Sequence, residues 1–329
     1  MMPMATQEHV SSKNTPHVHV SMWRVRWQRF VEFARRYARN RMAVVGLAIV
    51  LTWVFVGLFA PWIAPYGYAE TNYDAANQPP SLAHPLGTDA LGRDQFSRMI
   101  WAARTALIVA PTATIVGVTL GLFLGLLAGY FGGWVDELVM RVSDVLFAFP
   151  GLLFALLLAA TLQPRLAAWL SQFETLKPWV RAGYVEFFVV IIALSFVGWP
   201  GLARLVRGQV LSLREQQFVE AARATGVSSW RIMWRHIFPN ALPPVIVALS
   251  MSMGGAVVAE ASLSFLGIGI SPPTPSWGAM IFNEFASWRS PAAPWLLWAP
   301  GLAVAALTFA FNFIGDGLNE ALNPQDRIT

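Results

Sequence analysis

Six stretches of this chain run for about twenty residues with almost nothing but apolar side chains. They extend from Met42 to Ala64, Thr105 to Gly129, Val142 to Leu162, Phe187 to Ala203, Leu242 to Gly267 and Pro294 to Ile314. A bilayer core of about 30 Å is crossed by about 20 residues of helix, and in lipid only a helix or a closed barrel satisfies its own backbone hydrogen bonds. The runs are too long for barrel strands and lack strict alternation, so the pattern predicts an all-α membrane protein with six transmembrane helices.

Ahead of the first span, Trp23, Trp27, Phe30, Ala34 and Tyr37 recur at steps of four and three, with Arg26, Arg29, Arg35, Arg36 and Arg39 off that stripe. This predicts an amphipathic helix over 22–41 lying in the headgroup plane with its arginines toward anionic lipid. A helix of a coiled-coil pair is the other reading. Residues 1–21 read as a disordered tail, in which His17 and His19 are solvated rather than metal ligands. The first apolar run is longer than the roughly 7 to 15 residues of a signal peptide, so it reads as an uncleaved helix.

Composition excludes a water-soluble enzyme: 56% of the chain is hydrophobic and 12% charged, where soluble domains carry about 25% charge. The absence of cysteine removes disulfides, thiolate metal sites and a cysteine nucleophile. Net charge is +5 and comes from arginine, since Lys13 and Lys177 are the only lysines. With the N-terminus inside, sixteen of the 23 basic residues fall on the cytoplasmic side, which predicts both termini in the cytoplasm and no nucleic-acid partner. The chain then divides into a first transmembrane helix at 42–64, an outer loop at 65–104, a core with five further spans at 105–320 and a tail at 321–329.

Within the spans, Gly117, Gly121, Gly125 and Gly129 recur every four residues and put small residues on one stripe. Close helix packing and a smooth wall for a passing solute both follow from that pattern. Glu260 lies in the fifth run, where a charge at bilayer depth costs about 2 to 3 kcal/mol unless it faces a partner or a cavity. A structural hydrogen bond and a role in the path or its gating are both open. In the outer connection, HPLGTDALGRDQFSR places turn-forming Gly87 and Gly92 before Asp94 and Arg98, which stand one helical turn apart. An ordered outer cap fits that run, as does an ordinary solvated loop.

The connection between the fourth and fifth spans reads LREQQFVEAARATGVSSWRIMWRHIFPNALPP. It predicts two short helices around Gly226 in a left-handed conformation, with Ser228 or Ser229 capping the second and Pro239 ending it. Ala221 and Ala222 leave the first helix without bulk, Glu220 and Arg223 stand at pairing distance, and Trp230 and Trp234 give the second an aromatic face. Such a knob fits a groove on a soluble partner, or the lipid surface.

Glu220-Ala221-Ala222, then Gly226, then His236 to Asn240 resembles the EAA loop, here 213–240, of binding-protein-dependent ABC importer permeases. The HPLGTDALGRDQFSR run, Glu260 to Gly269, Pro272 to Ile281 and Gly315 to Pro324 resemble the C-type subunit of the dipeptide/oligopeptide branch. The resemblance implies a type I importer fold, a homologous second permease, two cytoplasmic ATP-binding subunits and an extracytoplasmic solute-binding protein in a prokaryotic inner membrane. It also implies that Glu220, Ala221, Ala222, Arg223 and Gly226 couple the permease to the ATPases.

No GxxxxGK[ST] run is present and neither lysine sits in a glycine-rich loop, so the chain is expected to hold no cofactor, with ATP bound by partner subunits. HExxH and GxSxG are also missing, and His9, His84 and His236 lack ligand spacing, so no catalytic or metal site is expected. The alternative is a proton-coupled secondary carrier that relays protons through Glu260, Asp144 or Glu186.

Overall fold

The computed structural model describes residues 22–288 and 294–322; the expected tail over 1–21 and residues 323–329 of the C-terminal tail lie outside them. Among the described residues the elements are helices, and the only extended pairing is an isolated bridge between Thr88 and Asp94.

Helix α1 covers Met22–Arg39 and α2 covers Arg41–Leu58. Asn40 separates them because its side chain accepts from the Ala43 amide at 3.0 Å, an N-cap that starts a new helix. Trp23, Trp27 and Phe30 are exposed, whereas Tyr37 is half-buried and donates its hydroxyl to Ala43 O at 3.1 Å. The first span ends before the expected Ala64. Pro61 has no N–H for the Gly57 carbonyl, so the helix breaks at Phe59 and resumes as one turn, Ala60–Ile63.

The next connection is ordered. Thr88 N donates to Gln78 O at 3.0 Å, and Gln78 N donates back to Thr88 Oγ1 at 2.8 Å. The buried Asp89 carboxylate accepts from Leu91 N and Arg93 N, both at 2.9 Å, and from Arg93 Nε at 2.6 Å. Helix α3, Gln95–Phe131, starts ahead of the expected Thr105, so 95–104 belongs to a helix and not to the outer loop. The cause is Asp94, which caps α3 by accepting from Ser97 N at 2.7 Å while its other oxygen contacts His84 Nδ1 at 2.9 Å. Replacing Asp94 with alanine is expected to cost about 1 to 2 kcal/mol, read as a lower melting temperature in detergent, with a smaller loss for His84→Ala.

The expected third span, Val142 to Leu162, is two elements: α4, Gly133–Phe147, and α5, Gly151–Leu170. Pro150 is the N-cap of α5 and separates them. Helix α6 runs Tyr184–Arg214 and is far longer than Phe187 to Ala203. The residues 163–186 therefore shrink as a connection to 171–183, including a turn at Lys177–Arg181. After α7, Gln217–Ala224, comes α8, which is unbroken from Ser229 to Phe265. Pro239 does not end it. A wide π turn over Met233–Ile237, with Phe238 N bonded to Met233 O, makes room for the proline ring, and Asn240 Nδ2 donates to the His236 carbonyl at 2.6 Å. Helices α9, Trp277–Trp288, and α10, Trp295–Leu322, complete the chain.

Six of these helices, α2, α3, α5, α6, α8 and α10, are long and apolar enough to cross a membrane. The most extensive contact is between α3 and α6. A Cβ at Gly121 would lie 2.7 Å from Trp199 O, and one at Gly125 2.6 Å from Ala203 O, so the two backbones approach as only glycine allows. Gly117 and Gly129 continue that seam against Ser195 and Val210. Lipid supplies little hydrophobic drive between helices, so such packing, with hydrogen bonds like Ser195 Oγ to Ala113 O at 2.9 Å and Ser250 Oγ to Phe311 O at 3.1 Å, holds the bundle.

Candidate functional site

Helix α7 stops for a local reason. Gly226 N bonds Arg223 O at 2.9 Å and Val227 N bonds Ala222 O at 3.1 Å, with Gly226 at φ +76°. This pair of bonds is a Schellman motif, and a side chain at that φ would be strained. The turn folds Val219 and Ala222 inward against Tyr130, Val210, Ile232 and Ile237. Spacing leaves Gln217, Glu220, Ala221 and Ala224 on the outer face, all of them exposed.

The two adjacent alanines are thus divided: Ala222 packs inward and Ala221 faces out. The expected Glu220–Arg223 pair is absent among the described residues. Arg223 instead places its guanidinium 5.9 Å from the Tyr130 ring centroid, a cation–π contact that holds it over the end of α3. Trp230 is exposed and stacks edgewise on Trp234 at 5.7 Å, and Trp234 contacts Phe238 at 5.2 Å.

The α7 end of the bundle is braced by ionic contacts that sequence reasoning missed. Asp136 of α4 takes a two-pronged contact from Arg207 of α6, and Asp144 pairs with Arg204, whose guanidinium also lies 4.5 Å from the Phe147 ring centroid. Arg214 Nη1 donates to Gly129 O at 3.2 Å. The available signal was the eight-residue step between Asp136 and Asp144, about two helical turns, which puts both on one face. Nothing local says that this face meets α6.

Between α3, α5, α6 and α8 lies a cavity of about 480 Å³. Gly117 and Thr114 line it from α3, Gly151 and Ala155 from α5, Gly198 and Gly201 from α6, and Ser252 and Gly255 from α8. Val109, Val189, Leu263 and Ile270 belong to a buried apolar cluster that shares Ala155 with the cavity wall. The Gly117 position thus belongs to both the packed seam and the cavity wall.

Glu260 is 1% exposed and follows directly on the cavity-lining Ala259 in α8. Its Oε1 accepts from Ser264 Oγ at 2.8 Å, Ser276 supplies a second hydrogen bond, and Ser264 Oγ accepts from Ile270 N at 3.1 Å. Glu186 Oε2 accepts from Ser271 N at 2.8 Å. Two carboxylates from different helices therefore hold the segment 266–276. Glu260 does not line the cavity, and Asp144 sits at the opposite end of the bundle. No group of histidine and carboxylate side chains among the described residues is arranged to hold a metal.

The described residues thus form a bundle of six helices fit to span a membrane, with a small-walled cavity and an exposed two-helix knob. Residues 121–327 match the binding-protein-dependent transport system inner membrane component family, and residues 21–80 match the N-terminal TM domain of oligopeptide transport permease C. The chain belongs to this family of binding-protein-dependent permeases. It is 38% identical to the dipeptide transport system permease protein DppC of Alkalihalophilus pseudofirmus, over 93% of this chain and 91% of that protein. It is also 40% identical to the glutathione transport system permease protein GsiD of Pectobacterium atrosepticum, over 89% and 90% of the respective chains. The GsiD protein of Escherichia coli O157:H7 is 42% identical over the same shares.

Proposed function

We propose that this chain is one of two homologous permeases in an ATP-driven importer of dipeptides, oligopeptides or related small peptides such as glutathione. ATP is held by two cytoplasmic subunits, and an extracytoplasmic solute-binding protein delivers the cargo. Both termini are cytoplasmic in a prokaryotic inner membrane, and α1 rests its Trp23, Trp27 and Phe30 stripe in the lipid headgroup region. The α7 turn is the coupling element: Glu220 and Ala221 meet the ATPase, Ala222 and Arg223 seat the helix on the bundle, and Gly226 sets the angle between α7 and α8.

The observation that carries this reading is the exposed face of α7, Gln217, Glu220, Ala221 and Ala224, on a knob seated against α3 and α6. A knob held this firmly passes force to the spans instead of absorbing it. The secondary-carrier alternative is disfavoured by the carboxylates themselves. Asp144 pairs with Arg204 at one end of the bundle, while Glu186 and Glu260 are both taken up at the other by hydrogen bonds to Ser271 N and Ser264.

Gly226→Val tests the assignment, because a β-branched side chain resists φ +76°. The assembled complex is expected to remain in the membrane while solute-stimulated ATP hydrolysis falls about tenfold or more, equivalent to about 1.4 kcal/mol. Normal hydrolysis together with normal uptake would show that the turn does not couple the subunits.

A further inference from the structure

We propose that the connection between α5 and α6 is an anchor in the lipid headgroup layer at the end of the bundle away from α7. Trp169, Phe173, Trp179 and Tyr184 insert among the lipids, and Arg165 and Arg181 lie on the phosphates of anionic phospholipids. Such an anchor requires only that the six helices cross a bilayer, and it is independent of the importer reading.

The connection has two faces. Leu166, Ala167, Leu170 and Val180 pack against the buried cluster around Val189 and Leu263. The other face carries four aromatic rings, each 45% to 61% exposed. They form two edge-to-face pairs, Trp169 with Phe173 at 5.4 Å and Trp179 with Tyr184 at 5.5 Å. Rings that have found each other and still stand open are apolar patches that a water-facing loop does not keep. Tryptophan and tyrosine suit the boundary between bilayer and water, because an apolar ring body carries a polar N–H or O–H.

Both neighbouring helices place that boundary here. On α6 the residues Phe196, Ile192, Phe188 and Tyr184 follow one another at steps of four, and all are exposed. On α5 the exposed positions Leu153, Leu157, Thr161, Arg165 and Trp169 keep the same step. Each stripe changes from purely apolar to amphipathic at its end, as a helix does on leaving hydrocarbon. Tyr184 stands twenty residues from Arg204, whose exposed ion pair with Asp144 lies at the α7 end. Twenty residues of helix span about 30 Å, one bilayer core.

Charge selects the headgroup. Lys177 is paired with Glu174, whereas the exposed Arg165 and Arg181 form no ion pair among the described residues. Two uncompensated guanidinium groups beside lipid-facing rings match anionic phosphates. The anchored turn leads straight into α6, where Glu186 accepts from Ser271 N, so the anchor also fixes the depth of the segment 266–276.

The test places Phe173→Cys or Trp179→Cys, labelled with a nitrobenzoxadiazole fluorophore, in the assembled complex in nanodiscs of phosphatidylethanolamine and phosphatidylglycerol. The unsubstituted chain has no cysteine, so its complex supplies the background from the partner subunits. Leu82→Cys, at a fully exposed position of the cap, is the aqueous reference. Both ring positions are expected to be quenched by phospholipid bearing a nitroxide on its headgroup, and to lose most of the iodide quenching seen at Leu82→Cys. Adding Arg165→Gln and Arg181→Gln to Trp179→Cys is expected to raise the share of nitroxide-phosphatidylglycerol needed for half-maximal quenching by about fivefold or more. Iodide quenching equal to that at Leu82→Cys would put the rings in water, and protection from both quenchers would put the partner permease over them. Either result overturns the inference, as does a phosphatidylglycerol response indifferent to the arginine substitutions.

Discussion

Gly125→Leu is expected to stop folded chain from accumulating in the membrane. A Cβ at this position would lie 2.6 Å from Ala203 O and 2.7 Å from the Val206 Cβ. The first neighbour is backbone of the facing helix, which cannot rotate away as a side-chain end does. Either α3 and α6 separate along their longest contact, or the leucine adopts a distorted rotamer. Overpacking of this kind costs about 3 kcal/mol, a large share of the roughly 5 to 15 kcal/mol that separates folded from unfolded states. Gly208→Leu is the comparison, since its Cβ meets nothing. Size-exclusion profiles and melting temperatures in detergent decide the matter. If the two variants behave alike, the seam is not the element that holds the bundle.

Glu260→Leu is expected to loosen the segment 266–276 and lower stability by about 2 to 3 kcal/mol. The leucine fills much of the space but leaves the Ser264 and Ser276 hydroxyls without the carboxylate they bond. Ser264 also orients Ile270, and Ser276 accepts from Ala279 N at 3.1 Å at the start of α9, so one lost carboxylate disturbs two backbone anchors. Glu260→Gln keeps an acceptor at the same place and is expected to lose at most about 1 kcal/mol. Limited proteolysis of the segment, with melting temperature as the second readout, separates the variants. Equal behaviour of leucine and glutamine would mean that the carboxylate position carries no load.

The six apolar blocks were legible because the bilayer dictates helix length, and hydropathy records that demand directly. Helix ends were harder. Asp94 starts α3 well before the apolar residues become continuous, and Pro150 divides what hydropathy merges. Pro239 reads as a stop in isolation, yet a π turn absorbs it because α8 is packed along its length. Gly226 was legible, since its left-handed φ and the bonds around it are local. The Glu220–Arg223 pair failed for the opposite reason: Tyr130, ninety-three residues upstream of Arg223, competes for the guanidinium. The cavity and the Glu186–Ser271 contact arise from residues brought together only by the tertiary fold, and no single-sequence period marks them.

The uninterrupted course of α8 has a mechanical consequence. Its 37 residues span about 55 Å at 1.5 Å per residue, with the tryptophan-faced start beside α7 and the serine-held carboxylate near its far tip. A rod of that length, pivoting by about 10° near its middle, swings each tip about 5 Å in opposite senses, with the π turn and Pro243 and Pro244 as the points where it can bend. If α7 has the coupling role proposed for it, a displacement at that end of α8 reaches the other end reversed, without any relay of side chains between them.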